Sequence, residues 1–219
     1  MSLGFILLIG AGLLILFGAG QRVLDRLRLT DRQAILFIVL IIVGGLLPDI
    51  HLTERFAFNI GGALIPLGLC VYLWVKADTF LEKARSVVAA LLTGVAVFVL
   101  GRVLPADPAE MVVDPTLAYG VAGGLIAYVL GRSRRGAFIA GTVGVILANL
   151  AAWGYANAQG ANQTLLLGGA GGFDVIVLAG LLAVLLSELV GEVIERVKRG
   201  RQKPTREFVN GDFVRREQR

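Results

Sequence analysis

The sequence predicts an all-α, polytopic membrane protein: a bundle of about seven transmembrane helices with the N-terminus outside and the C-terminus cytoplasmic. Three observations predict it. The 219-residue chain is 56% hydrophobic with a mean hydropathy of +0.78, and its apolar residues form continuous runs close to the roughly 20 residues that a helix needs to cross a bilayer. Its 29 glycines against six prolines fit helices that approach one another closely through small residues. Its basic residues fall in alternate loops, the pattern of the positive-inside rule. Continuous rather than alternating apolar runs argue against a β-barrel.

The apolar runs lie near residues 2–19, 33–48, 57–75, 86–104, 116–131, 137–155 and 165–190. The first, within MSLGFILLIGAGLLILFGAG, lacks the positively charged start of a secretory signal peptide and reads as a retained helix. The second ends at Leu47-Pro48-Asp49, where proline disfavours helix at the residue before it. The third contains Asn59, Gly61, Gly62 and Pro66; proline removes a backbone donor, so a kink is expected there, either for packing or at the border of a cavity. The fourth follows a basic turn. The fifth is short and begins at Val113-Asp114-Pro115-Thr116, a helix N-cap followed by proline at the first helical position. The sixth carries Asn149 and the seventh Asp174.

Charge sets the orientation. Arg22, Arg26, Arg28 and Arg32 follow the first run, Lys76, Lys83 and Arg85 the third, and Arg132, Arg134 and Arg135 the fifth. The alternate loops hold only Arg55 and Arg102 among several acids. Residues 1–200 are therefore expected to form one transmembrane helical domain and 201–219 a basic cytoplasmic tail, touching anionic headgroups at about 1 kcal/mol per basic residue. The lipid bilayer is an expected partner. Nucleic acid is not, because no recognition module is present. Cys70 is the single cysteine, which excludes an internal disulfide. His51, the single histidine, is too isolated for a metal site, and the glycine clusters do not follow strands as a nucleotide loop requires. No metal or cofactor is expected.

Asp174 is the functional lead. It lies in LLLGGAGGFDVIVLAGLLAVLLSELV, and an acid at mid-bilayer depth costs roughly 2.5 to 3.5 kcal/mol, so such residues face a bundle interior and mark a pathway or reaction centre. Gly168, Gly169, Gly171, Gly172 and Phe173 precede it, letting the backbone start loosely, be approached closely, or open to water. At 1.5 Å per residue a continuous helix puts Asp174 roughly 24 Å from its cytoplasmic end near Val190, and Asn149 roughly 20 Å above Gly136 on the same side. Antiparallel neighbours then hold Asn149 and Asp174 at a similar depth. Two readings follow: an interhelical polar clamp worth about 0.6 to 2 kcal/mol, or one interior site.

The segment GGAGGFDVIVLAGLLAVLL resembles the hallmark of the GxGD intramembrane aspartyl proteases, the presenilin, signal-peptide-peptidase and prepilin-peptidase group. Asn59 to Leu69, Gly141 to Leu150 and Gly168 to Gly180 also resemble a prokaryotic membrane-protein family of unknown function, across most of the chain. These resemblances imply a prokaryotic inner or plasma membrane location, a hydrolase whose partner is a transmembrane peptide or membrane-protein substrate, and Asp174 and position 149 as catalytic. Gly168, Gly169, Gly171, Gly172 and Phe173, with the kink of Asn59, Gly61, Gly62 and Pro66, are then expected to bind the substrate or shape the site. Two departures matter: Phe173 stands where the protease motif has glycine before the aspartate, and Asn149 stands where the second family has aspartate, in a GADL-like pattern. Aspartyl chemistry needs two carboxylates sharing a proton, one as base on water and one as acid, and asparagine takes neither role. The chain as written is therefore expected to be inactive as a protease. A transporter or channel using Asp174 as a protonatable or cation site, and a catalytically dead binder of transmembrane segments, are the alternatives.

Overall fold

The computed structural model describes residues 29, 31–103, 115–131, 133–171, 174–187, 206–209 and 212–215. The chain divides into two compact units, Met1–Ser187 and Glu188–Arg219. In chain order the first holds α1 (Asp31–Leu46), β1 (Ile50–Thr53), β2 (Phe56–Phe58), a π-helical turn (Ile60–Leu64), α2 (Ile65–Val75), α3 (Phe80–Val103), α4 (Pro115–Gly131), α5 (Arg134–Ala158) and β3 (Leu165–Leu167), then α6, described over Val175–Ser187. The described residues of the second unit form an antiparallel hairpin of β4 (Arg206–Val209) and β5 (Asp212–Arg215), within the stretch read from sequence as a basic tail.

Helix dominates because long apolar runs satisfy their backbone groups locally. Among the described residues α3 and α5 are long and apolar enough to cross a membrane, and the apolar stretches of α1, α2, α4 and α6 are shorter. The first apolar run, 2–19, and the Asp114 cap lie outside the described residues. At the start of α5 the Ser133 side chain accepts from the Gly136 amide, the usual N-cap bond. Helix α5 is the central element: it packs on α2, α3 and α4 and buries a stripe of small residues that includes Ala137, Ala140, Gly141, Gly144 and Ala148. An alanine layer of Ala89, Ala127, Ala137, Ala140 and Ala183 lets α3, α4, α5 and α6 approach closely. The outer face of α3 stays apolar and exposed, with Leu91 at 54%, Val95 at 61% and Val99 at 51%.

The third and seventh apolar runs are not continuous helices. The third opens with strand β2, and the seventh opens with strand β3, a turn through Gly168 and Gly171 at φ +73° and +59°, and only then helix from Val175. Strands β1 and β2 form an antiparallel hairpin and β3 lies parallel to β2, with Phe56, Ala57 and Phe58 opposite Leu165, Leu166 and Leu167. The Leu165 amide donates to the Arg55 carbonyl at 2.9 Å and the Asn59 amide to the Leu167 carbonyl at 2.8 Å. Hydropathy alone merged β2 and β3 into the helices that follow them, and left β1 in the loop between two runs.

Where β2 ends, Asn59 turns the chain into the π turn. Its side-chain oxygen accepts from the Gly62 amide at 3.0 Å, and its amide donates to Asp49 Oδ1 at 2.9 Å and to the Leu47 carbonyl at 3.4 Å. Pro66, expected to kink a helix, instead sits in the first turn of α2, where its missing donor costs little. A Cβ on Gly62 would fall on the backbone of Gly168, and one on Gly61 would fall on the backbone of Ile41, Gly44 and Gly45. Three segments thus meet backbone against backbone.

Asp174 is correspondingly not a mid-helix acid. It stands immediately before α6, with Oδ1 accepting from the Ile176 amide at 3.0 Å and its backbone carbonyl accepting from the Leu178 amide at 3.0 Å. That is N-cap geometry. Two outcomes are expected. Gly62→Ala should lower stability by about 1–3 kcal/mol or more through overpacking against fixed backbone, while Gly68→Ala, which meets nothing within 4 Å, should shift it by less than about 1 kcal/mol; denaturant titration followed by circular dichroism reads both. Asp174→Ala should cost about 1 kcal/mol in the same assay and Asp174→Asn, which still caps, at most a few tenths.

Candidate functional site

The site lies where the end of α3, the middle of α5 and the start of α6 converge. What positions it is a core of Ala63, Val145, Ile146, Leu167, Ile176 and Ala179, drawn from the π turn, α5, β3 and α6, so the strand, the glycine turn and both helices are packed as one body. The Phe56 and Trp153 rings, 5.9 Å apart, tie the hairpin to α5, and the Trp153 indole donates to the Gln163 carbonyl at 2.9 Å.

A cleft of about 180 Å³ opens at this junction. Phe98 and Arg102 of α3 form one wall, Val145, Asn149 and Ala152 of α5 another, and Val175 of α6 contributes beside them. Asn149 is half-buried. Its carboxamide is one of two polar groups in an otherwise apolar lining, the other being the Arg102 guanidinium. The guanidinium carbon lies 3.7 Å from the centre of the Tyr155 ring and 5.2 Å from that of Phe98.

Of the residues singled out from sequence, the structure brings Asn149 and the start of α6 to one cleft, since Val175 is bonded to Asp174. No hydrogen bond joins Asn149 to Asp174 among the described residues. The Asp174 carboxylate instead takes the Ile176 amide on one oxygen and the Ala170 amide, at 3.3 Å, on the other. Gly168 and Gly171 form the turn before it, and Gly169 is exposed beside Leu166. Gly172 and Phe173 lie outside the described residues. Asn59, Gly61, Gly62 and Pro66 do not line the cleft; they build the junction behind β3. Chemically, the arrangement offers one carboxylate with backbone donors and one neutral amide, so it lacks the second acid that proton sharing requires.

Arg102 was legible in the sequence only as a lone positive charge in an acidic loop. The signal that could have found it is its spacing: Phe98 and Arg102 are four residues apart and share a helix face, with the apolar residues Leu91 and Val95 continuing the same stripe.

No curated protein and no solved structure matches the chain. Residues 22–186, from the segment before α1 through nearly all of the described part of α6, match the family described as "Protein of unknown function (DUF1614)", and that span takes in β1, β2 and β3, the glycine junction and every residue of the cleft. The chain belongs to this family of proteins of unknown function.

Proposed function

We propose that the chain is an integral membrane protein of the intramembrane aspartyl-protease type, in which position 149 and Asp174 form the dyad site. As written, with Asn149, it holds a transmembrane polypeptide segment without hydrolysing it. The observation that carries this reading is the shared cleft: Asn149 and Val175, the residue after Asp174, line one opening with apolar walls. The similar depth expected of Asn149 and Asp174 from helix arithmetic supports the same reading.

Seven membrane-crossing segments with the N-terminus outside complete the proposed topology, in a prokaryotic inner or plasma membrane. The two long apolar helices α3 and α5 and the exposed apolar face of α3 support membrane residence, because large exposed apolar surface is otherwise costly in water. A bound segment would have to unwind locally at the cleft, since an intact helix hides its carbonyls, and irregular backbone at depth is tolerated only against protein or water.

With aspartate at 149, one carboxylate can act as base on a water while the other acts as acid toward the carbonyl. The chain as written should leave transmembrane reporter peptides intact, Asn149→Asp should cut them, and Asn149→Asp combined with Asp174→Ala should lose that cutting, as read by mass spectrometry of the products. Silence from Asn149→Asp across a broad peptide set, or cutting that survives removal of Asp174, would overturn the proposal.

A further inference from the structure

Arg102 holds the rim of the cleft in a way the proposed dyad does not use. Its guanidinium lies against the Tyr155 and Phe98 rings at 3.7 and 5.2 Å. Stacking engages the face of the group and leaves its N–H edge free to bond in a fork. Among the described residues no carboxylate pairs with it and no acceptor takes its N–H groups. The Asn149 carboxamide, in the same lining, likewise has no hydrogen-bond partner among the described residues. The cleft therefore presents a fixed cation and a neutral amide donor at the end of an apolar recess, which matches an oxyanion carried on an apolar body.

A track for that body leads to the cleft. Leu91, Val95 and Val99, exposed on α3, fall on the same helical stripe as Phe98 and Arg102 by their spacing of three to four residues. Arg102 stands at the end of this 24-residue helix, the headgroup level for a helix that crosses a bilayer, where Tyr and Arg side chains settle. A small free anion would use the fork but not the track.

We propose that the cleft binds the phosphodiester headgroup of an anionic phospholipid, with Arg102 as a bidentate donor, Asn149 as a second donor and an acyl chain lying along Leu91, Val95 and Val99. This rests on the chain residing in a membrane and not on the protease reading. Because the headgroup takes the Asn149 carboxamide, a bound lipid and a bound transmembrane segment compete for the same cleft.

The test uses the full chain purified in neutral maltoside detergent, titrated with dioleoylphosphatidylglycerol or dioleoylphosphatidylcholine, with bound lipid counted by native mass spectrometry and inorganic phosphate added as competitor. Phosphatidylglycerol should bind at one site and more tightly than phosphatidylcholine, and millimolar phosphate should not displace it. Arg102→Gln should weaken binding about tenfold or more, the loss of a charge-assisted fork, Arg102→Lys should be intermediate, and Asn149→Leu should weaken it less. Equal binding of both lipids, full binding by a folded Arg102→Gln protein, or displacement by phosphate would each overturn the proposal, the last in favour of a free-anion site. Release of the protein from membranes by an alkaline wash would instead defeat the membrane reading itself, a result separable from all of these.

Discussion

The structure depends on a contact made without side chains. Gly61 and Gly62 press backbone to backbone against Gly44, Gly45 and Gly168, so the end of α1, the π turn and the turn after β3 occupy a space in which no Cβ fits. Asn59 makes that convergence affordable: buried to 3% exposure, it satisfies the Gly62 amide, the Leu47 carbonyl and Asp49 from one side chain and the Leu167 carbonyl from its backbone. Buried polar groups left unpaired cost about 1–3 kcal/mol each, so removing this residue would orphan several groups together.

From that junction the rest follows by packing. Strand β3, pinned parallel to β2, delivers the chain into a glycine turn whose last act is to present Asp174 as the cap of α6. Helix α6 then buries Ile176, Val177, Ala179 and Ala183, and α5 passes alongside with Asn149 facing the opening beside Val175. The same carboxylate that looks costly in a hydropathy plot is stabilised locally by two backbone amides. Capping and a role at a site are compatible, because each carboxylate oxygen takes one backbone amide, from Ile176 and from Ala170, and keeps a further lone pair for another partner.

Much of the helical content could be read from hydropathy, since α1, α3, α4 and α5 each match an apolar run to within a few residues. The strands could not. Leu165–Leu167 is as apolar as the helix after it, and its pairing partner Phe56–Phe58 lies more than 100 residues earlier, so no local pattern encodes the register. The cap, by contrast, was there to read: an aspartate after glycines and before an apolar run is a helix start signal, and the unbroken run of leucines before it concealed the break. Asn149 was identified by spacing along α5. Arg102 and Tyr155 were not, because their relation exists only once α3 and α5 are packed.

The central claim, that a strand clasp and glycine turn rather than a continuous helix bring the start of α6 to the cleft, is tested most directly by residue-resolved amide hydrogen exchange. In a parallel pair alternate residues point their polar groups away from the partner. The account predicts strong protection of the Asn59 and Leu165 amides, which donate across β2 and β3, with fast exchange at Leu166 between them. Slow exchange at Leu166 matching that of its neighbours, or fast exchange at both Asn59 and Leu165, would contradict it.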